Sequence, residues 1–320
     1  MLRRSIARVL GRPLAALVGF GLRLSDRKLG LAVLYHGVGD PQGDHERDLV
    51  APHGSRLFEQ QVRHLRASYR IVEASQLLAA TRSRRRGQRF PVAITFDDDL
   101  ACHVRVALPI LHRLGAPATF FLSGASLSAP FAFWWERLQV AADRGILAGA
   151  AAARADETLR QVARRIELMR PTERDAIASE LHSLLGPDPS DSGIRADDVR
   201  RLLAGGMRIG FHTKRHDALT LLDDNELQAA MLEGRSALEE LAGHRLELIA
   251  YPHGRADGRV AAAALDAGFT VGFTAAGEPV RATSDSLLLP RVMPYYRSAG
   301  QFALQLVLQL RSTHDPAASP

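Results

Sequence analysis

A single cysteine, Cys102, stands in 320 residues, so no disulfide can form within the chain and the redox compartment is left open. No apolar run is long enough to cross a bilayer, which takes ~20 residues. The run Pro13–Leu22 is too short. Lysine is nearly absent, and arginine carries the basic side. With so much alanine, that pattern reads first as the mark of a GC-rich genome. The functional reading of the net charge of +6 is attraction to anionic polymers or membrane surfaces. No interleaved aromatic and basic motif is present, so nucleic acid is not expected as a partner. Internal repeats and extended low-complexity tracts are missing as well.

What is there suffices for one large core, or one core with an added subdomain: 46% of residues are apolar and 24% charged. The chain is organised around Pro91-Val-Ala-Ile-Thr-Phe-Asp-Asp-Asp99. A short run with β-branched and aromatic members reads as a strand buried on both faces. It ends in three adjacent carboxylates. Like charges so close raise one another's pKa unless a cation or histidines relieve them. Histidines occur at His212-Thr-Lys-Arg-His216, four apart, which puts two imidazoles on one side of a helical turn or tight loop. They follow a second strand-like run, Met207–Phe211. In α/β barrels and open α/β sheets, chemistry gathers at the carboxyl ends of strands. Two histidines and one carboxylate, with room for water, match a catalytic divalent metal site.

Thr95-Phe-Asp-Asp-Asp99 resembles the Thr-Phe-Asp-Asp-Gly motif of the polysaccharide deacetylases, the NodB-homology group or carbohydrate esterase family 4. His212-Thr-x-x-His216 matches their His-Ser/Thr-x-x-His motif, and Ala250-Tyr-Pro-His-Gly254 looks like the third, in its Tyr-Pro-x-Gly form. The likeness runs from about Leu31 to about Pro294, and three motifs in order make it specific. It implies an α/β fold: a distorted (β/α) barrel with fewer than eight regular strands, here with a helical insertion. The activity implied is metal-dependent hydrolysis of N-acetyl groups on amino sugars of a polysaccharide or glycan precursor. By the same resemblance Asp98, His212 and His216 hold the divalent ion, Zn²⁺ before Co²⁺, Ni²⁺ or Mn²⁺. Asp97 becomes the general base, although the residues alone do not say which of the adjacent aspartates binds metal. The main-chain N–H of His253 becomes the oxyanion donor. Tyr251, Pro252 and Gly254 of the third motif, with Trp135 and Arg291, make up the substrate-binding group. Leu34-Tyr-His36 resembles the Leu-x-His motif, which most members carry near the C-terminal end of the domain. Here it stands near the N-terminus, as in a circularly permuted arrangement, and makes His36 the acid for the departing amine. Two positions depart from the pattern. Asp99 replaces a glycine, and either changes the surroundings of the pair or binds a cation itself. Ala250 stands where many members have an arginine that orients the base, a charge that Arg291 is the candidate to supply.

Residues 1–28 form a basic amphipathic segment, with Arg3, Arg4, Arg8 and Arg12 ahead of Pro13–Leu22. Three readings compete: a secretory signal without a clear cleavage site, a helix lying on a membrane surface, and an ordinary helix packed on the domain. A cytoplasmic location, or a peripheral one at the inner membrane, is favoured over a secreted or periplasmic one. The deacetylase-like domain spans 29–297. Helices are read at Phe58–Tyr69, Ser75–Thr81, Ala101–Leu114, Asp197–Ala204, Asp223–Leu241 and Arg259–Ala267. Gly43–Gly54 is a polar loop, and a closing strand is placed at Leu287–Arg291. The insertion, about 130–196, is read as helices covering one side of the barrel mouth. Its Trp134 and Trp135 could stack on sugar rings, against the ordinary alternative of core packing. Arg82–Arg89 is a solvated loop, with a polyanion patch as the sharper reading. Residues 298–320 are a last helix and a tail, disordered over Asp315–Pro320.

Other readings remain. Two histidines and a carboxylate also hold Fe(II) in oxygenases, usually on antiparallel double-stranded sheets rather than alternating strands and helices. The same fold could act on a non-carbohydrate amide or a ring C–N bond. A non-catalytic glycan-binding protein is the third, but it has no use for a spare base such as Asp97.

Overall fold

Two seven-residue runs, Leu29–Tyr35 and Pro91–Asp97, are buried at every position, so both must lie centrally. A strand covered on both faces needs helices on one side and a filled interior on the other. The computed structural model describes residues 2–40, 48–154, 156–294 and 298–311. The tail at Asp315–Pro320 and part of the loop Gly43–Gly54 lie outside them. In chain order the elements are α1 (Leu2–Arg23), β1 (Leu29–Tyr35), α2 (Ser55–Ser68), β2 (Arg70–Ile71), α3 (Leu77–Arg82), β3 (Pro91–Asp97), α4 (Leu108–Arg113) and β4 (Thr119–Leu122). There follow α5 (Trp134–Asp143), α6 (Leu159–Glu167), α7 (Pro171–Leu185), α8 (Ala196–Ala204), β5 (Arg208–Phe211), α9 (Asp224–Leu232) and α10 (Arg235–Ala242). The last are β6 (Leu248–Ala250), α11 (Gly258–Asp266), β7 (Val271–Phe273), β8 (Val280–Arg281) and α12 (Ala299–Arg311).

The strands lie in the order β7-β6-β5-β4-β3-β1-β8, with the short β2 beside the start of β3. Every pairing is parallel except β8 on β1. The sheet curls into an open barrel, and a seam after β8 bridges its gap. On one side the N–H of Leu289 donates to the Gly272 carbonyl at 2.8 Å, next to β7's Phe273. On the other the N–H of Val292 donates to the Ala32 carbonyl of β1 at 2.8 Å. The expected closing strand is therefore two isolated bridges. Pro290 between them has no N–H to continue a ladder.

Alternation along β3 sorts its side chains. Val92, Ile94 and Phe96 pack outward under the helices with Leu31, Val33 and Tyr35 of β1. Ala93, Thr95 and Asp97 share the opposite face, towards the interior that Ala32, Phe121 and Phe273 help to fill. The interior thus changes from apolar to charged as β3 ends.

Three expected elements come out differently. The helix at Ala101–Leu114 opens with a wide π turn, His103–Ala107, before α4. Pro109, in the first turn of α4, cannot donate to an α-helical ladder, and the wider turn takes up the mismatch. The long helix Asp223–Leu241 is two, α9 and α10, because Gly234 sits at φ 78. The 82–89 run is not simply solvated: Arg84 is buried and its guanidinium donates to the carbonyls of Arg23, Ser25, Arg27 and Gln88. At the other end of the chain, α1 packs on α12. Gly11 lies so close to Gly300 that a Cβ would stand 2.4 Å from its carbonyl oxygen, and Ala15 packs with Ala303 and Val307.

Between β4 and α8, helices α5, α6 and α7 share a small core of their own that includes Trp134, Leu138, Ile166, Ile177 and Leu181. Residues from α5 and α6 also reach the main cavity.

Candidate active site

The end of β3 carries the three carboxylates in different directions. Successive strand residues face opposite ways, yet Asp97 and Asp98 both line one cavity. The reason is Asp98's φ of 75, a left-handed conformation that turns its side chain back towards Asp97. Asp99 leaves on the far side. It accepts hydrogen bonds from the main-chain N–H and hydroxyl of Ser123 at 2.7 and 2.8 Å, and from Ser126 at 3.3 and 3.2 Å. Asp99 therefore anchors the loop after β4.

β5 delivers the histidines. His212 follows its last residue, and its Nδ1–H donates to the Ala250 carbonyl at the end of β6, 2.7 Å away. That bond fixes the tautomer and leaves Nε2 as the ligand atom. Thr213 and His216 are both left-handed, at φ 49 and 51, so the four-residue spacing is spent on a tight loop. Asp98 Oδ1 stands 3.6 Å from His212 Nε2 and 3.4 Å from His216 Nε2. Donors bound at ~2.0–2.2 Å to a tetrahedral ion are ~3.4 Å apart, so this spacing is that of ligands around one ion. Asp98 Oδ1 is moreover buried without a hydrogen-bond partner, which a cation would satisfy. The three residues fit a divalent metal.

Asp97 is held from the opposite side. Arg291, wholly buried, grips it bidentately, Nη1 to Oδ1 at 2.6 Å and Nη2 to Oδ2 at 2.7 Å. Arg291 Nε donates in turn to the Thr274 carbonyl at 3.1 Å. Burial alone would raise the pKa of both aspartates. Arg291 and His212 outweigh it for Asp97, and His216 with His36 and His212 for Asp98, so both are held below the usual carboxylate range. Burial lowers His216, which keeps that imidazole neutral and able to bind metal.

The cavity is about 740 Å³. His36, half-buried at the end of β1, lines it with Asp97, Asp98, His212, His216, His253 and Gly254. His36's carbonyl accepts from His103 Nε2 at 3.1 Å. His253 is left-handed, at φ 59, and its ring stands 4.6 Å from that of His216. Gly254 (φ 66) has no room for a Cβ, which would meet Ala275 at 2.2 Å.

Three of the residues grouped as substrate-binding stand elsewhere. Tyr251 is fully buried, and its O–H donates to the Leu287 carbonyl at 2.8 Å, outside the cavity. Pro252 is buried outside it as well. Arg291 meets Asp97 rather than substrate. Trp135 does line the cavity, but only 8% of it is exposed. Its ring stacks on Phe133 at 4.3 Å and lies 4.4 Å from His216, so it has little face left for a sugar and braces the histidine instead.

The insertion contributes residues that no local signal marked. Arg160, Arg164 and Glu167 of α6 line the cavity with Arg255. Glu167 Oε1 lies 3.0 Å from Arg255 Nη2 and 3.7 Å from His253 Nδ1. Arg174 of α7 forms a buried ion pair with Asp217, next in sequence to His216, and so clamps the insertion onto the histidine loop. In an arginine-rich stretch, an arginine that reaches the cavity looks like the rest.

A family model described as polysaccharide deacetylase matches residues 84–272. No curated protein matches the chain. Among solved structures, the fold is similar to the Streptococcus pyogenes deacetylase PplD in complex with acetate, at 17% identity and a TM-score of 0.60, over 89% of this chain and 99% of that one. A polysaccharide deacetylase from Bacillus cereus gives 15% and 0.59, over 88% and 69%. IcaB from Ammonifex degensii gives 18% and 0.56, over 88% and 98%.

Proposed function

The chain belongs to the polysaccharide deacetylase family, and on that premise we propose how its residues hydrolyse the N-acetyl amide of an amino sugar in a glycan. The observation that carries the reading is the division of labour between adjacent aspartates. Asp98 points its orphaned oxygen at two imidazoles, and Asp97 points at an arginine.

Asp98, His212 and His216 would hold a divalent ion, Zn²⁺ foremost for a set of two nitrogens and one oxygen. Such an ion, when bound, makes water more acidic and polarises a carbonyl. Asp97 takes the proton of the attacking water. Its paired arginine keeps it ionised and fixed, and each of its oxygens keeps a lone pair beyond the one Arg291 uses. The water oxygen bonds to the acetyl carbon, and negative charge grows on the carbonyl oxygen. The main-chain N–H of His253 is the proposed donor to that oxygen. His36, across the cavity, gives a proton to the nitrogen as the C–N bond breaks. Acetate and a free amine leave.

The purified protein should carry about one divalent ion, the stoichiometry of a single three-donor site, and release acetate from N-acetylglucosamine oligomers. His212→Ala should lose both ion and turnover. Asp97→Asn should keep the ion and lose turnover. Near-normal acetate release by Asp97→Asn would overturn its role as base. Loss of the ion from Asp97→Asn, with retention in His212→Ala, would overturn the ligand assignment.

A further inference from the structure

The barrel chemistry leaves one surface of the molecule unused. α1 turns Gly11 and Ala15 inward against α12, and its opposite face is apolar and bare. Leu10, Leu14 and Leu17 recur at helical spacing along one stripe, with 54%, 50% and 71% of each exposed, and Leu24, just past the helix, is 46% exposed. Phe20 beside them is 59% exposed, as is 57% of Leu308 on α12. From Leu10 to the end of α1 at Arg23 the helix runs ~20 Å at 1.5 Å per residue. Scattered exposed leucines need no explanation, but a continuous row of them does.

At the foot of this stripe lies a basic cluster. Lys28, Arg82, Arg85 and Arg86 surround a shallow surface cavity in which Asp26 is the one carboxylate. The cluster is fixed to the helix. The N–H of Gly87 donates to the Arg23 carbonyl at 2.7 Å, and buried Arg84 donates to the carbonyls of Arg23, Ser25 and Arg27 at 3.0, 3.0 and 2.7 Å. Arg84 thus ties the loop to the C-terminal end of α1, where a cation is favoured. The basic loop is held rigidly against the end of the helix that carries the apolar row.

We propose that this surface docks on an anionic lipid bilayer, with the α1 leucines entering the headgroup–acyl boundary and Lys28, Arg82, Arg85 and Arg86 meeting phosphate headgroups. No helix among the described residues is long and apolar enough to cross a membrane, so α1 lies on the surface rather than through it. A soluble polyanion would use the arginines and leave the leucines in water. A second copy joined by a two-fold axis would cover the leucines, but it would bring the cations together if the helices ran parallel and leave them without a partner if they ran antiparallel. An anionic bilayer meets both halves of the surface.

The test is co-sedimentation of the full chain with vesicles of phosphatidylcholine alone or mixed with phosphatidylglycerol. The unaltered protein should pellet with the mixed vesicles, and added salt should release part of it. Arg85→Glu with Arg86→Glu should weaken the partition at least about tenfold, since each basic residue near such a surface strengthens binding roughly fivefold. Leu14→Glu with Leu17→Glu should abolish binding. Both pairs are exposed and none of the four residues lines the active-site cavity, so acetate release from soluble oligomers should be unchanged. Protein that stays in the supernatant with mixed vesicles overturns the proposal, as does equal binding by the leucine variant. A dimer in solution that Leu17→Glu dissociates would assign the stripe to a second copy instead.

Discussion

Replacing Arg291 by methionine tests the logic of the site at its most exacting point. The guanidinium is wholly buried and makes two short bonds to Asp97, one to the Thr274 carbonyl and a longer one, 3.4 Å, to Thr95 Oγ1. Methionine fills much of the space but leaves an ionised carboxylate in the barrel interior with its main counter-charge gone. Stranding one partner of a buried pair costs roughly 3–5 kcal/mol. Asp97→Leu strands the arginine instead and should cost a similar amount. In the double variant nothing is stranded, so its cost should fall below the sum of the two by at least ~2 kcal/mol. Chemical denaturation of all four proteins closes the cycle. If the single costs add to within ~0.5 kcal/mol, the pair does not act as a unit and the reasoning fails. Arg291→Lys separates stability from positioning. It keeps the charge and loses the fork, so kcat should fall by up to about a hundredfold with KM little changed, because the base is no longer held in register.

Three further outcomes follow from the same geometry. Asp99→Ala should cost about 3 kcal/mol, since it strands several donors around Ser123 and Ser126, while metal content stays the same; a loss of metal would make Asp99 a cation ligand after all. Arg174→Met should weaken metal affinity some 10–100-fold by freeing the loop behind His216, and equilibrium dialysis showing unchanged affinity would remove the insertion from the site. Burial holds His64 and His103 down at about 4. Both are neutral in the fold, whereas in the unfolded chain they charge below about 6.5, so stability is full above that pH and is lost as pH falls towards 4. Each contributes about 3 kcal/mol to that loss, so His64→Leu should show a shallower decline than the unaltered protein, and parallel curves would refute the assignment.

How far the chain could be read depends on how local each cause is. Asp97, Asp98, His212 and His216 were legible because they follow strands directly, and a parallel sheet carries strand ends to one rim. The left-handed turn at Asp98 was not, since aspartate adopts it only where its surroundings demand it. Tyr251 looked like a substrate contact because it sits in the third motif; its place against Gly272, where a Cβ would meet the phenol oxygen at 2.4 Å, belongs to the seam and not to the motif. Arg291 shows the same thing in reverse. As sequence it ended the expected closing strand and was only a candidate for the charge beside the aspartates, 194 residues from its partner. Pro290 breaks that strand, and the seam that results, hydrogen-bonded to both β7 and β1, is what carries the guanidinium into the interior. The break at Gly234 has a local cause, a left-handed glycine within a helical pattern. Arg160, Arg164 and Arg174 had no such sign, because their place at the cavity and at Asp217 comes from the way α6 and α7 fold back over the mouth. The aspartate pair and its histidines are therefore written in short motifs, while the rest of the cavity lining is written only in how distant helices pack. Substitutions within the insertion should then alter which glycan is accepted before they alter whether any amide is cleaved.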